Sequence, residues 1–212
     1  GTILIEADRY DEAAPYLERL AADYPDSDAG ERAMFSLGRT HVETGNLQKG
    51  ADVFENLLET PEKQTVGNLA YMSEKLLGAD RAAGALAAAR ELLRRAESGE
   101  EIRPAVAETA LFRAGEASFR LEKWQDALRY LGRLLEEKPN TAYFFDARFR
   151  LAEARLQNGE RGKALAELNE ILRFAEKPEI TNRALCGIGA VREEMDDEKN
   201  RRLALARYQP VV

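Results

Sequence analysis

Apolar residues recur along the chain in short, separate sets at helical spacing. Ala13, Leu17 and Leu20 form one set, and Gly50, Phe54 and Leu57 a second. Ala82, Leu86 and Ala89 follow, then Ala127, Leu131 and Leu134, then Ala164, Leu168 and Ile171. Residues at i, i+4 and i+7 share one face of an α-helix, so each set predicts an amphipathic helix burying one stripe. Polar segments rich in turn residues precede them: EADRYDEA, ETGNLQKG, RLEKWQDA and QNGERGKA. Pro25 and Pro139 stand twelve residues past Ala13 and Ala127 and predict where two of these helices stop.

Ahead of each turn lies a second recurring segment. ALFRAGEASF starts at Ala110, AMFSLGRTHV at Ala33, ARFRLAEARL at Ala147 and ALCGIGAVRE at Ala184. Their sixth places hold Gly115, Gly38, Ala152 and Gly189, and a weaker copy, TVGNLAYMSE from Thr65, puts Ala70 there. Twelve residues beyond these markers stand Ala127, Gly50, Ala164, Arg201 and Ala82, and Gly1 precedes Ala13 by the same distance. Successive first markers are 37, 32, 45, 37 and 37 residues apart. A constant distance within the repeat and a variable one between repeats predict stacked helical hairpins joined by tolerant linkers. Within a hairpin, Gly or Ala where helix A crosses helix B lets the two backbones approach.

These features predict an all-α chain. Leu37-Gly38, Gly45, Ala127, Phe54, Pro25 and Pro139 resemble the tetratricopeptide repeat pattern. The resemblance covers nearly the whole chain and implies a single right-handed superhelical solenoid over 1–212. Its repeats are expected at 1–27 (a truncated first repeat), 28–62, 63–103, 104–140, 141–179 and 180–212, the last being cap-like. YPDSDAGERAMFSLG (Tyr24 to Gly38) resembles a bacterial subgroup with longer repeats, found in envelope-assembly and Tol-Pal-associated proteins. Arg201 departs from the pattern in the last repeat, and the third repeat lacks a large helix-B aromatic.

The resemblance implies a concave wall of A helices that holds a protein or peptide. The wall positions are Arg32, Phe35, Arg39, Tyr71, Phe112, Glu116, Phe119, Phe149, Glu153 and Arg183. Aromatics interspersed with charge suit an amphipathic helix or an extended peptide. Phe35, Phe112 and Phe149 share one repeated position, so packing between hairpins is the competing role. Some members hold a C-terminal carboxylate in a Lys/Asn/Arg clamp. Here the corresponding places carry Phe35, Arg39 and Asn68, then Thr109 and Arg113, which is not a complete clamp.

Composition narrows the function. Of 212 residues 33% are charged, and the net charge of -7 opposes general binding to nucleic acid or anionic membrane. No apolar run is long enough to insert in a membrane. His41 is the sole histidine, and Cys186 is the sole cysteine and is expected to be buried at the repeated Phe position. There is no metal cluster, phosphate loop or nucleophile motif, so neither enzyme activity nor a cofactor is expected. Arg94-Arg95 and Arg201-Arg202 are isolated basic pairs. EEMDDEKNRR (193–202) is expected to be a solvated turn between two helices, and Ser98-Gly99 a polar loop after a long helix B.

The expected function is a non-catalytic scaffold for a protein or peptide. One alternative is a structural module of a larger bacterial envelope protein that self-associates through its truncated first repeat, where Ile3, Leu4 and Ile5 would be exposed. Another is a regulatory domain of a larger signalling protein or enzyme. One cysteine suits either the cytoplasm or a bacterial periplasm. The chain opens at Gly1 without an initiator Met or a secretory leader, and is expected to be a piece of a longer protein.

Overall fold

The computed structural model describes residues 1–7, 9–25 and 27–207, without the side chains of Thr2, Glu6, Asp197 and residues 200–207. The described residues form eleven α-helices: α1 Thr2–Glu6, α2 Tyr10–Asp23, α3 Asp28–Glu43, α4 Leu47–Leu57, α5 Val66–Gly78, α6 Ala82–Glu97, α7 Pro104–Arg120, α8 Trp124–Glu137, α9 Phe144–Gln157, α10 Arg161–Phe174 and α11 Pro178–Arg207. A 3-10 turn, Pro61–Lys63, precedes α5. The chain divides into two compact units, an N-terminal one ending at Leu121 and a C-terminal one beginning at Glu122.

The hairpin turns share one construction. Helix B begins two residues after a left-handed residue: Gly45 (φ 84°), Asp80 (60°), Glu122 (57°) and Gly159 (76°). The amide after the left-handed residue reaches back to close the helix: Asn46 to His41 O at 2.7 Å, Arg81 to Leu76 O at 2.8 Å, Glu160 to Arg155 O at 2.7 Å. This satisfies carbonyls that the end of helix A would otherwise leave without partners. Asp80 and Glu122 adopt the same conformation without glycine's steric freedom, at a local energetic cost.

Anchoring the repeat on its turn corrects one register. The first marker lies nine residues before helix B in the clear copies: Gly1 before Tyr10, Gly38 before Leu47, Gly115 before Trp124 and Ala152 before Arg161. By the same rule the third repeat carries Ser73 and Ala85, both fully buried, rather than Ala70 and Ala82. The sequence match slipped by three residues, close to one helical turn, so it stayed on the same face. The true helix-B stripe there is Ala85, Ala89 and Leu92. In α2 the stripe is Ala13, Leu17 and Ala21, while Leu20 is exposed.

The small-residue crossing is tightest between α3 and α4. A methyl group on Gly50 would lie 2.7 Å from the Gly38 carbonyl oxygen, and one on Gly38 would collide with the Phe54 ring. Around this crossing Phe54 and Leu57 are buried. In the C-terminal unit the core joins Phe149, Ala152, Ala164, Leu168 and Ile171 to Ala184, Ile188 and Val191 of α11.

The last repeat does not fold as expected. The helix α11 runs without interruption through 193–202, where a turn was expected. Closing a hairpin there would set Arg201 where the other repeats set Gly or Ala, forcing a long side chain between two helix backbones. Continuing the helix keeps its backbone hydrogen bonds instead. A methyl group on Gly189 would accordingly meet nothing within 4 Å. The side chains of Arg201 and Arg202 lie outside the described residues.

A buried ion cluster ties α6 to the 3-10 turn. Glu91 is 7% exposed and accepts from Arg94 at 2.7 Å and from Arg95 at 2.7 Å. Arg95 also donates to the carbonyls of Pro61 (3.2 Å) and Glu62 (2.9 Å). The Arg94-Arg95 pair is thus a structural clasp. Past it, α6 ends at Glu97, and Ser98 and Gly99 (φ 88°) form the loop, as the sequence predicts. Hydrogen bonding from Arg94 leads in holding the Glu91 carboxyl down to about 2; burial opposes it and Arg95 adds to it.

Three outcomes follow for stability, all measurable by urea unfolding. Gly50→Ala forces α3 and α4 apart and costs about 1–3 kcal/mol. Glu122→Gly relieves a left-handed backbone and stabilises by about 1 kcal/mol. Glu91→Ala leaves Arg95 buried without its carboxylate and costs about 3 kcal/mol. Because the folded pKa of Glu91 lies below its ordinary 4.5, wild type keeps this contribution above pH 4.5. It loses the contribution as pH falls toward 2, and Glu91→Ala flattens that part of the profile.

Candidate functional site

In the N-terminal unit the first helices of successive hairpins, α3, α5 and α7, meet through specific side chains. Phe35 of α3 stands 5.8 Å from Tyr71 of α5, ring centre to ring centre. Both rings rest on the buried Phe54, at 5.8 and 5.9 Å. The Tyr71 hydroxyl donates to Glu43 at 3.0 Å. Burial, reinforced by the Glu43 carboxylate, drives the Tyr71 phenol far above its ordinary pKa, while Arg39 pulls it the other way. Of the sequence-derived wall positions, the structure therefore brings Phe35, Arg39 and Tyr71 together. Arg32 is exposed one turn before Phe35.

The α5–α7 contact uses arginines spaced by two turns. Arg113 donates to Ala70 O at 2.6 Å, to Ser73 Oγ at 3.0 Å and to Glu74 at 2.8 Å. Seven residues on, Arg120 donates to Leu77 O at 2.8 Å and to Glu116 at 3.0 Å. Glu116 was expected to face a groove. It is 7% exposed, and its charge is met by Arg120 on the next turn of its own helix. Phe112 and Phe119 are half-buried on α7.

Beside this contact a cavity of about 400 Å³ opens between α5, the Leu92 side chain of α6 and the start of α7. Tyr71, Glu74, Arg103, Val106, Thr109 and Arg113 line it around that apolar floor. Thr109 and Arg113 are two of the positions set against the carboxylate clamp. Asn68 does not line the cavity, and its side-chain amide donates to Gln64 at 3.5 Å. Arg32, Arg39 and Arg103 are exposed and make no ion pair among the described residues. The carboxylates of Glu43, Glu74 and Glu116 are all engaged.

The corresponding helices of the C-terminal unit are closed by their own charges. Phe149 is 5% exposed, and the Arg183 guanidinium sits 3.9 Å above its ring centre. Glu153 pairs with Arg183 at 3.6 Å and with Arg150 at 2.8 Å. Phe149, Glu153 and Arg183 are together, but Phe149 belongs to the core, the competing role its repeated position suggested.

Sequence reasoning missed Arg103 and Val106, which lie before and at the start of α7, outside the repeated segment. It also missed an aromatic cluster: Phe144 lies 5.2 Å from Phe145 and 5.5 Å from the half-exposed Phe174, beside a cavity of about 420 Å³. The Phe144-Phe145 doublet ahead of Ala147 was the available signal. Cys186 is exposed rather than buried, because no helix B folds back over the α11 position that phenylalanine fills elsewhere. His41 is half-buried on α3. Among the described residues no group of three or more His, Cys, Asp or Glu could hold a metal ion, and no helix is long and apolar enough to cross a membrane.

Comparison with known proteins agrees with this architecture. Sequence models described as Tetratricopeptide repeat match residues 1–63 and 118–182. No curated protein matches the chain. Among solved structures, MamA from AMB-1 is 20% identical over 84% of this chain and 90% of its own, with a TM-score of 0.56. Another MamA structure is 16% identical over 86% and 97%, with a TM-score of 0.58. A Podosopora anserina kinesin light chain protein with nearly identical TPR-like repeats is 14% identical over 80% and 88%, with a TM-score of 0.51. At these identities the likeness is one of fold, all-α and TPR-like.

Tyr71 supplies a direct check on this face. In an alkaline titration followed at 295 nm, Tyr71 is expected to ionise late, well above the ordinary phenol range. Tyr71→Phe abolishes that late step. A phenol whose folded pKa is raised stabilises the fold below its ordinary value of 10.0 and loses that contribution as pH rises.

Proposed function

We propose that this chain, which belongs to the tetratricopeptide repeat family over the two matched spans, is a non-catalytic protein-interaction scaffold. Its N-terminal α3–α5–α7 face takes an extended partner segment that carries acidic residues. The observation that carries this reading is the cavity beside unpaired cations. An apolar side chain of the partner enters between Tyr71, Val106 and Leu92. Its flanking carboxylates meet Arg39 and Arg103, which are exposed and make no ion pair among the described residues. Glu74 and Glu116 on this face are met by arginines, and Glu43, held by the neutral Tyr71 hydroxyl, keeps its charge, so Arg32, Arg39 and Arg103 outnumber it although the chain as a whole is acidic. The repeated use of this fold as an interaction platform supports the reading in general terms.

A second reading has its own observation. Ile3 of α1 is 80% exposed, Tyr16 of α2 65% and Tyr24, just past the end of α2, 59%. Leu4 and Ile5, expected to be exposed with Ile3, instead pack on the α2–α3 core. Such a surface suits self-association of a module within a larger protein.

Fluorescence anisotropy with a labelled peptide of interspersed Glu and Leu tests the first reading. Wild type is expected to bind it more tightly at low salt than at high salt. Arg39→Glu with Arg103→Glu is expected to weaken binding by about tenfold or more. A peptide held equally by wild type and the double variant sinks this site. A mass that rises with concentration and falls back on Tyr16→Ser with Tyr24→Ser favours the self-associating module.

A further inference from the structure

The C-terminal unit holds a cavity of about 420 Å³ between the end of α8, the start of α9 and the end of α10. Its volume falls in the range of roughly 300–1,000 Å³ common for ligand sites. Leu135 and Pro139 line it beside three phenylalanines, Phe144, Phe145 and Phe174. Phe144 stands nearly perpendicular to both other rings, at 87° to Phe145 and 83° to Phe174. These edge-to-face contacts hold an aromatic wall in place before any ligand arrives. Phe174 is still 51% exposed.

The polar lining narrows the ligand. Arg148 and Glu170 are the charged residues of the lining, one of each sign. Arg148 lies 4.8 Å from the Phe144 ring centre and pairs with Glu167, and Glu170 has Arg173 at 4.0 Å. The lining therefore favours neither an acidic nor a basic side chain, in contrast to the α3–α5–α7 face. An uncharged apolar group fits it. The Asn140 side chain, also in the lining, is exposed and makes no hydrogen bond among the described residues. An amide beside aromatic rings is useful to a ligand whose backbone has groups left to satisfy. A helix satisfies its own, whereas a polyproline II segment has no internal hydrogen bonds and packs its rings on aromatic walls.

We infer that this cavity binds an uncharged, proline-rich extended segment of a partner protein. A pyrrolidine ring packs against the phenylalanine wall, and a backbone carbonyl accepts from the Asn140 amide. A second copy of the chain is a poorer occupant, because its seven prolines stand at least ten residues apart and form no such segment.

The probe is a labelled peptide, Pro-Pro-Leu-Pro-Pro-Leu-Pro-Pro, capped at both ends and titrated into the full chain by fluorescence anisotropy. Binding is expected, with little change between low and high salt. Phe174→Ser removes an exposed part of the wall and is expected to weaken binding at least about fivefold with the circular dichroism unchanged. Asn140→Ala, at an exposed position without a partner, is expected to weaken it about threefold. Replacing every proline of the peptide by alanine also weakens it. Arg39→Glu with Arg103→Glu leaves this binding unchanged, and Phe174→Ser leaves binding of the Glu and Leu peptide unchanged, so this inference and the proposed function fail separately. Absence of binding, or equal binding by Phe174→Ser, overturns the site. Equal binding by Asn140→Ala, or of the alanine peptide, overturns the polyproline ligand in favour of a general apolar pocket. A wild-type mass that doubles with concentration and returns to monomer in Phe174→Ser overturns the partner segment in favour of a second copy.

Discussion

The close crossing of two helix backbones, twelve residues apart across a left-handed turn, is the constraint on which the rest depends. Gly50 against the Gly38 carbonyl leaves no room for a methyl group, so helices A and B can close only if small residues stand at both places. Once they do, the large residues one turn away fall into line. Phe54 meets Phe35 and Tyr71 because the crossing sets how far α3 stands from α4. The first-helix face is therefore a by-product of hairpin closure: what is buried between helices decides which side chains remain at the surface.

Charge organises what closure leaves open. The buried carboxylates Glu91, Glu116 and Glu167 each have an arginine partner; Arg148 and Arg155 converge on Glu167 at 2.5 and 3.1 Å. Such pairs fix one arrangement more than they add stability, because desolvating both charges offsets most of their attraction. The two units differ in what remains. The C-terminal unit covers its aromatic with Arg183 and neutralises Arg183 with Glu153. The N-terminal unit leaves Arg32, Arg39 and Arg103 exposed and outside any ion pair among the described residues, and the proposed site rests on this difference rather than on the fold itself.

The absence of closure in α11 is as informative as its presence elsewhere. A single position, Arg201 in place of Gly or Ala, coincides with the loss of the turn. The consequences appear up to fifteen residues earlier, as exposed Cys186 and open Gly189. A repeat protein spreads local effects in this way because each helix covers a face of its neighbour. Removing one cover exposes the matching strip.

The sequence by itself determined the hairpins, their turns and most of the buried stripe, because small residues, turn residues and helical spacing are local signals of local geometry. It also marked the last repeat as unusual through Arg201. Only the tertiary structure decided the register of Ser73 and Ala85, since a slip near one turn preserves the face and leaves no trace in the pattern. It likewise decided which wall positions are free. Phe35, Phe112 and Phe149 look alike in the chain, yet Phe149 is core and Phe35 is half-buried beside Tyr71. Which arginines reach across to another helix, as Arg113 reaches Glu74 and Arg183 covers Phe149, depends on residues more than thirty positions away, and helical periodicity carries no information over that distance.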